Sequence, residues 1–97
     1  AVISFMDRST IYDCGYFRLA QQVGIRAGAK VQIKQAVAGG NDAGAIHVSR
    51  GGVRTIAVSL PCRYLHSAVG LIAQEDYESA KTTVRALAEA IASGEAL

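Results

Sequence analysis

The sequence is poor in the residues that build disulfide frameworks, thiolate metal sites and membrane spans. Its two cysteines, Cys14 and Cys62, stand far apart without Cys-x-x-Cys spacing, so neither a disulfide framework nor a thiolate zinc site is predicted. No run approaches the roughly 18 apolar residues of a membrane helix, and no signal-peptide pattern opens the chain. These absences favour a cytoplasmic protein with reduced thiols and no membrane association.

Basic residues are too few and too scattered to form a nucleic-acid site. Ten Lys and Arg oppose eight Asp and Glu, for a formal net charge of +2, and no cluster of them could follow a phosphate backbone. The sequence also contains no Walker loop, no Gly-x-Ser-x-Gly elbow and no His-Glu-x-x-His helix. Nucleic-acid binding and these common catalytic classes are therefore excluded.

The chain is short and apolar for an independent enzyme. Its 97 residues are 51% hydrophobic, which indicates that some apolar surface contacts a partner. Residues 1–6 form an apolar run typical of a strand already under way, with no initiator methionine. We therefore expect residues 1–97 to be one segment of a larger protein.

Strand-like and helix-like patterns alternate along the chain, which predicts an α/β fold. Strands are predicted at residues 1–6, 31–37 and 55–60, and helices at about 14–24, 43–50 and 75–93. Alternating polarity marks the second strand as an edge strand, whereas the β-branched third strand is typical of a central strand with both faces covered. The expected architecture is a three-layer fragment in which helices flank a mixed or mostly parallel sheet.

Capping residues and glycines define the predicted helix ends. Asp13 is the expected N-cap of the first helix and Gly24 its stop, and Asp42 is the expected N-cap of the second helix. The last helix should turn one apolar stripe toward the core. That stripe consists of Tyr77, Ala80, Val84, Leu87 and Ile91.

The segment after the third strand holds the first candidate for chemistry, because functional groups in open α/β sheets gather at strand carboxyl ends. There His66 is either a metal ligand or a structural histidine, and a Cys62–His66 nucleophile pair is a further option. His47 is either a packed histidine or part of a subunit contact. Gly39 and Gly40 either make an ordinary turn or let the backbone approach a ligand closely.

Three segments share their order and spacing with a known family. They are Gly39-Gly40-Asn41-Asp42-Ala43-Gly44-Ala45-Ile46-His47, Arg50-Gly51-Gly52-Val53 and Pro61-Cys62-Arg63-Tyr64-Leu65-His66-Ser67. Together they resemble the glutamyl aminopeptidase family, which includes the tetrahedral aminopeptidases and members sometimes labelled cellulases. The resemblance implies that residues 1–97 are the C-terminal segment of a metallo-aminopeptidase catalytic domain.

The resemblance also implies roles for three residues. His66 stands where the family has a metal ligand, and Gly40 and Asn41 stand in a loop that borders the substrate pocket. The implied protein is a cytoplasmic hydrolase that removes N-terminal residues from peptides. It holds two divalent metal ions, zinc or cobalt, and forms a homo-oligomer, from a dimer up to a dodecameric shell. The family's other ligands and its catalytic glutamate have no counterpart here, so the isolated chain is expected to be inactive.

At several positions the sequence departs from the pattern that it resembles. The family usually has Thr where Asn41 stands and Pro where Arg54 stands. It commonly has Pro, Glu and Asp where Ala68, Gly70 and Ala73 stand. Without a glutamate at position 70, we expect the support of the metal-bound histidine to be either weaker or arranged differently.

Two other functions are weighed against the aminopeptidase. The alternative is a non-catalytic α/β assembly module that oligomerises through its apolar faces, because the other metal ligands are absent. A glycosidase would need paired carboxylates at a suitable separation. The adjacent acids Glu75 and Asp76 begin the last helix, where they suit its dipole instead.

Overall fold

A computed structural model describes residues 1–94 of the chain. Its elements are β1 (Val2–Ser4), α1 (Cys14–Arg26), β2 (Gln32–Ile33), α2 (Ala43–Ile46), β3 (Ala57–Ser59) and α3 (Gln74–Ala92). The strands form one mixed sheet in the order β2-β1-β3. The α/β class and the mixed sheet expected from the sequence are confirmed. No helix within residues 1–94 is long and apolar enough to cross a lipid bilayer.

The middle strand of the described sheet is β1. It pairs in parallel with β2, placing Ile3 opposite Ile33, and antiparallel with β3, placing Ile3 opposite Val58. The parallel pair is joined through α1, because parallel strands need a long crossover connection. The prediction of a central third strand was wrong for residues 1–94. Within them β3 lies at the sheet edge and pairs with β1 alone, and none of its residues is fully buried.

Asp13 begins α1 as predicted. Its side chain accepts a hydrogen bond of 2.9 Å from the backbone N–H of Tyr16, which satisfies one of the free donors in the first turn. The predicted stop at Gly24 was wrong, because α1 continues beyond it. Gly24 is instead a packing residue: a Cβ there would lie 2.7 Å from Val31 Cγ2 and 3.0 Å from Thr83 Oγ1. The missing side chain therefore allows α1 to approach α3 closely.

The face that α3 turns toward the core differs from the predicted stripe. Within that stripe, Tyr77 and Val84 are 44% and 52% exposed. The buried residues of α3 are Ser79, Thr83, Leu87 and Ala90. Polar residues can lie inward because the Thr83 hydroxyl donates to the Ser79 carbonyl oxygen at 2.8 Å, so this buried donor is satisfied. Leu87 belongs both to the predicted stripe and to the buried face of α3.

One hydrophobic core joins the sheet to the two long helices. Its buried members are Ile3, Leu19, Ala20, Val23, Leu87 and Ala90. The core packs against the sheet. The direction of each strand determines the end of the sheet at which the loop after it begins. Because β3 runs antiparallel to β1 and β2, its carboxyl end lies at the opposite end of the sheet from theirs.

Candidate functional site

His66 lies in a tight turn that follows β3, here called the histidine loop (residues 63–71). Arg63 and Leu71 close the loop through two backbone hydrogen bonds of 2.8 and 3.0 Å. Inside it, Tyr64 adopts a left-handed conformation with φ 61°. The Ser67 hydroxyl lies 2.8 Å from the Tyr64 carbonyl oxygen and 2.9 Å from that of Val69. These bonds fix the backbone on both sides of His66.

The His66 side chain itself is exposed at the tip of this loop. Within residues 1–94 no hydrogen bond occupies its ring nitrogens, so the imidazole is available to an external ligand. A catalytic zinc-type ion needs about three protein ligands, and no group of three His, Cys, Asp or Glu side chains in the described part of the chain could hold one. The described residues therefore do not make a metal centre by themselves, although His66 suits one position in such a centre.

No hydrogen bond joins Cys62 to His66 within residues 1–94. Its thiol donates to the Arg63 carbonyl oxygen, with Sγ 3.3 Å from it. Cys62 also explains the glycine at position 70, because a Cβ on Gly70 would lie 3.0 Å from Cys62 Sγ. A glutamate at that position would crowd the thiol. Cys62 also lines a cleft of about 430 Å³.

The second candidate region is the segment here called the glycine loop (residues 39–46), which follows β2. Gly40 and Gly44 both pack onto Ser9, since a Cβ at either position would lie 2.8 Å or less from Ser9 Oγ. Asp42 stands at the predicted N-cap position of α2, but its side chain makes no capping bond. The Asn41 side chain takes that role, accepting from the Ala43 N–H at 2.9 Å.

Asn41 also reaches a buried network that sequence reasoning missed. Its Nδ2 donates to the Tyr12 hydroxyl oxygen at 3.0 Å, and the Tyr12 hydroxyl donates in turn to Asp7 Oδ2. Asp7 and Tyr12 are both buried. The sequence did contain a local signal for Asp7. Ser9 and Thr10 follow it two and three residues later, a pattern typical of an Asx turn.

Asp7 is an ionised carboxylate held by four donors. Its Oδ1 accepts from the Ser9 and Thr10 N–H groups at 2.8 and 3.0 Å and from the Ser9 hydroxyl at 2.9 Å. The hydrogen bond from Tyr12, together with these, lowers the pKa of Asp7 despite its burial. Burial and the neighbouring Asp7 raise the pKa of the Tyr12 hydroxyl. Tyr12 therefore keeps its proton at neutral pH and remains a donor to Asp7.

Arg54, where the resembled family usually has proline, forms a bidentate pair with the α1 cap. Its Nε and one terminal nitrogen each lie 2.9 Å from an Asp13 carboxylate oxygen, and its guanidinium carbon lies 4.1 Å from the centre of the Tyr16 ring. The pKa of the Asp13 carboxyl is lowered, chiefly by its hydrogen bonds from Arg54. The pair ties the segment before β3 to the start of α1.

Replacing Arg54 with Gln should make the protein less sensitive to acid. Because the Asp13 pKa is lower in the folded state, the pair stabilises the fold above the unfolded pKa of about 3.9 and this stabilisation is lost as the pH falls below that value. The drop in melting temperature between about pH 7 and pH 3 should therefore be smaller in the variant. The drop should persist in part, because Asp7 also has a lowered pKa. An unchanged drop would contradict the role of Arg54.

The structure does not bring the two candidate regions into contact. The histidine loop follows β3, whereas the glycine loop follows β2, and these strands end at opposite ends of the sheet. Within residues 1–94 no hydrogen bond joins His66 to Gly40 or Asn41. Gly40 and Asn41 are instead joined to the loop after β1, through Ser9 and Tyr12.

Comparison with known proteins identifies the family. The family model described as M42 glutamyl aminopeptidase matches residues 1–82, a stretch that includes both loops. A candidate aminopeptidase of Acetivibrio thermocellus is 36% identical over 89 residues, covering 92% of this chain and 26% of that protein. The glutamyl aminopeptidase of Lactococcus lactis subsp. cremoris (strain MG1363) is 38% identical over 61 residues, covering 63% of this chain and 17% of that protein.

A solved structure agrees with this assignment. The TET aminopeptidase from the marine sediment archaeon Thaumarchaeota archaeon SCGC AB-539-E09 superposes with a TM-score of 0.82 at 34% identity, covering 89% of this chain and 24% of that one. The chain therefore belongs to the M42 glutamyl aminopeptidase family, whose members are metal-dependent peptidases. It spans about a quarter of the length of the Acetivibrio and archaeal relatives.

Proposed function

We propose that residues 1–97 are the C-terminal segment of the catalytic domain of a cytoplasmic, metal-dependent aminopeptidase that removes N-terminal residues from peptides. The observation that carries this proposal is the match of the M42 family over residues 1–82, which includes the histidine loop and the glycine loop. The remaining catalytic groups lie in other parts of the full-length protein. The isolated segment is therefore expected to be inactive.

In this proposal His66 is one metal ligand. Its exposure and its free ring nitrogens suit an imidazole that binds a divalent ion, and the hydrogen-bonded turn around it fixes the backbone on both sides. The full-length enzyme would hold two divalent ions, zinc or cobalt, with the other ligands supplied by residues outside this segment.

Gly40 and Asn41 are proposed to contact the substrate beyond the residue that is removed. Both are exposed, and the missing Cβ of Gly40 keeps the loop close to Ser9. The glycine loop and the histidine loop follow strands that end at opposite ends of the sheet, so the proposed contact is with a part of the peptide that lies away from its N-terminal residue.

Peptide hydrolysis by the full-length protein tests the function directly. The protein is stripped with a chelator, reloaded with zinc or cobalt, and given peptides with free or acetylated N-termini. We expect release of single residues from the free N-termini only, and no release from the stripped protein. Cleavage of the acetylated peptides at a similar rate would contradict an aminopeptidase. Residues 1–97 expressed alone should release nothing with either metal.

We also propose that the full-length protein is a homo-oligomer, from a dimer up to a dodecameric shell. Large apolar side chains on the histidine loop are exposed, among them Tyr64, Leu65 and Val69, and such surface in a soluble protein favours a contact. The similar archaeal structure is that of a TET aminopeptidase. Light scattering gives the mass of the full-length protein in solution, and a monomer would contradict the proposal.

A further inference from the structure

The hydrogen bonds around Tyr12 have one consistent direction. A carboxylate only accepts hydrogen bonds, so the single hydroxyl proton of Tyr12 goes to Asp7 Oδ2. The Tyr12 oxygen can then only accept from Asn41, which requires the amide nitrogen to face it. The other end of the same amide accepts from the Ala43 N–H at 2.9 Å. The hydrogen bonds at the amide nitrogen and at the amide oxygen of Asn41 therefore require the same orientation of the side-chain amide.

This chain of bonds runs from the interior to the surface. Asp7 and Tyr12 are 5% and 4% exposed, whereas Asn41 is exposed. Two further contacts hold the glycine loop at the same place: the Arg8 N–H donates to the Gly39 carbonyl oxygen at 2.9 Å, and Gly40 packs on Ser9. A buried carboxylate thus sets the position of an exposed loop residue through one tyrosine.

We propose that Asp7 and Tyr12 are positioning residues that orient Asn41 for contact with the downstream part of a peptide substrate. This inference rests on the proposed function, because it takes the glycine loop as part of the substrate site. The family resemblance assigns no role to Asp7 or Tyr12. A threonine, the residue that the resembled family usually has at position 41, lacks the amide that joins Tyr12 to the Ala43 N–H. The orientation is therefore a property of this sequence.

Replacing Tyr12 with Phe in the full-length enzyme should weaken the binding of peptides selectively. The variant removes the acceptor of Asn41 while it keeps the buried ring. Loss of one such hydrogen bond is expected to raise KM for a hexapeptide about 3- to 10-fold, with kcat changed less than about twofold. KM for an aminoacyl p-nitroanilide, which has no downstream residues, should not change. A general loss of structure would affect both substrates alike.

Two further variants make the test specific to Asn41. In an Asn41→Ala background, Tyr12→Phe should have no additional effect on hexapeptide KM, because residues that act through one contact are not additive. Tyr16→Phe is the matched control: Tyr16 also lies near the start of α1, and its hydroxyl makes no hydrogen bond to residues 1–94. Its KM values should equal those of the wild type.

Hydrogen exchange measured by mass spectrometry reports how well the backbone of the glycine loop is protected, and it does not depend on enzyme activity. Tyr12→Phe should speed exchange of the backbone amides in residues 39–46 and leave α3 unchanged. If Tyr12→Phe does not fold, Asn41→Asp replaces it, since this exposed substitution removes the donor to Tyr12 and leaves the buried pair in place. The same faster exchange in residues 39–46 is expected, and unchanged exchange would overturn the positioning role; KM is not compared for this variant, because Asn41 itself is proposed to contact the peptide.

The outcomes separate the two proposals. An unchanged hexapeptide KM in Tyr12→Phe, or an equal effect of Tyr12→Phe in the Asn41→Ala background, overturns the positioning role. If the wild-type enzyme releases no residue from peptide or anilide, the proposed function fails. Faster exchange in residues 39–46 would then show the coupling of Tyr12 to the loop without any role in substrate binding, which also overturns the positioning role.

Discussion

Replacing Ile3 with Ala should lower the free energy of unfolding by about 2–5 kcal/mol, the usual cost of truncating a fully buried isoleucine. Ile3 has no exposed surface and lies in the middle strand, opposite Ile33 and Val58. Its side chain also belongs to the core that α1 and α3 share. The variant loses contacts with the sheet and both helices at once, and β1 cannot collapse into the space without breaking two strand pairings.

Ile25→Ala is the matched control for this prediction. The side chain is the same, but Ile25 lies on α1 with 65% of its surface exposed, so its truncation should cost less than about 0.5 kcal/mol. Denaturant unfolding of the full-length protein compares the two variants, with helical circular dichroism as the signal. A cost at Ile25 equal to that at Ile3 would mean that another part of the protein covers this face of α1.

Local signals were sufficient to predict the order of elements and four of the six helix ends, whereas α1 continues to Arg26 and α2 ends at Ile46 instead of near residue 50. Asp13 begins α1 because its carboxylate can reach the Tyr16 N–H within one turn, and this geometry depends only on neighbouring residues. Gly94 follows α3 with a positive φ of 88°, as a glycine after a helix commonly does. The last helix was therefore predicted within one residue at each end.

Features that depend on distant contacts could not be predicted in this way. The β-branched run before Pro61 looks central by composition, yet its only partner among the described residues is β1. Gly24 looks like a helix stop, but Val31 and Thr83 approach it so closely that it serves as a contact between elements. A single sequence does not reveal which residue will come to face such a glycine.

Contacts around the two candidate loops also depend on distant residues, and the assignment of His66 as a metal ligand stays a prediction. The motif around His66 is contiguous, so its resemblance to the family was sufficient to select that residue. The link between Tyr12 and Asn41 spans 29 positions along the chain and joins the segments that follow β1 and β2, two strands that pair in parallel. The bidentate pair of Arg54 with Asp13 spans 41 positions and involves a residue that the sequence marked only as a departure from the family.

Replacing His66 with Ala in the full-length protein should remove bound metal and activity together. Loss of a residue that merely supports a ligand usually lowers metal affinity about 10- to 100-fold, so loss of the ligand itself should lower it by more than about 100-fold. The fold should survive, because the His66 side chain is exposed and the loop closes through Arg63, Leu71 and Ser67. Melting temperature after chelation should therefore match that of the chelated wild type.

The metal content of the variant decides this prediction, since it does not depend on the choice of substrate. Purified protein is dialysed against zinc or cobalt and analysed by plasma mass spectrometry, with His47→Ala as the matched control. His47 Nδ1 lies 2.9 Å from the Ala43 carbonyl oxygen, a contact that gives its ring a local structural role, so its loss should leave the metal content unchanged. Equal metal in the wild type and in His66→Ala would refute the assignment of His66 as a ligand. A loss in both histidine variants would point instead to a general weakening of the fold.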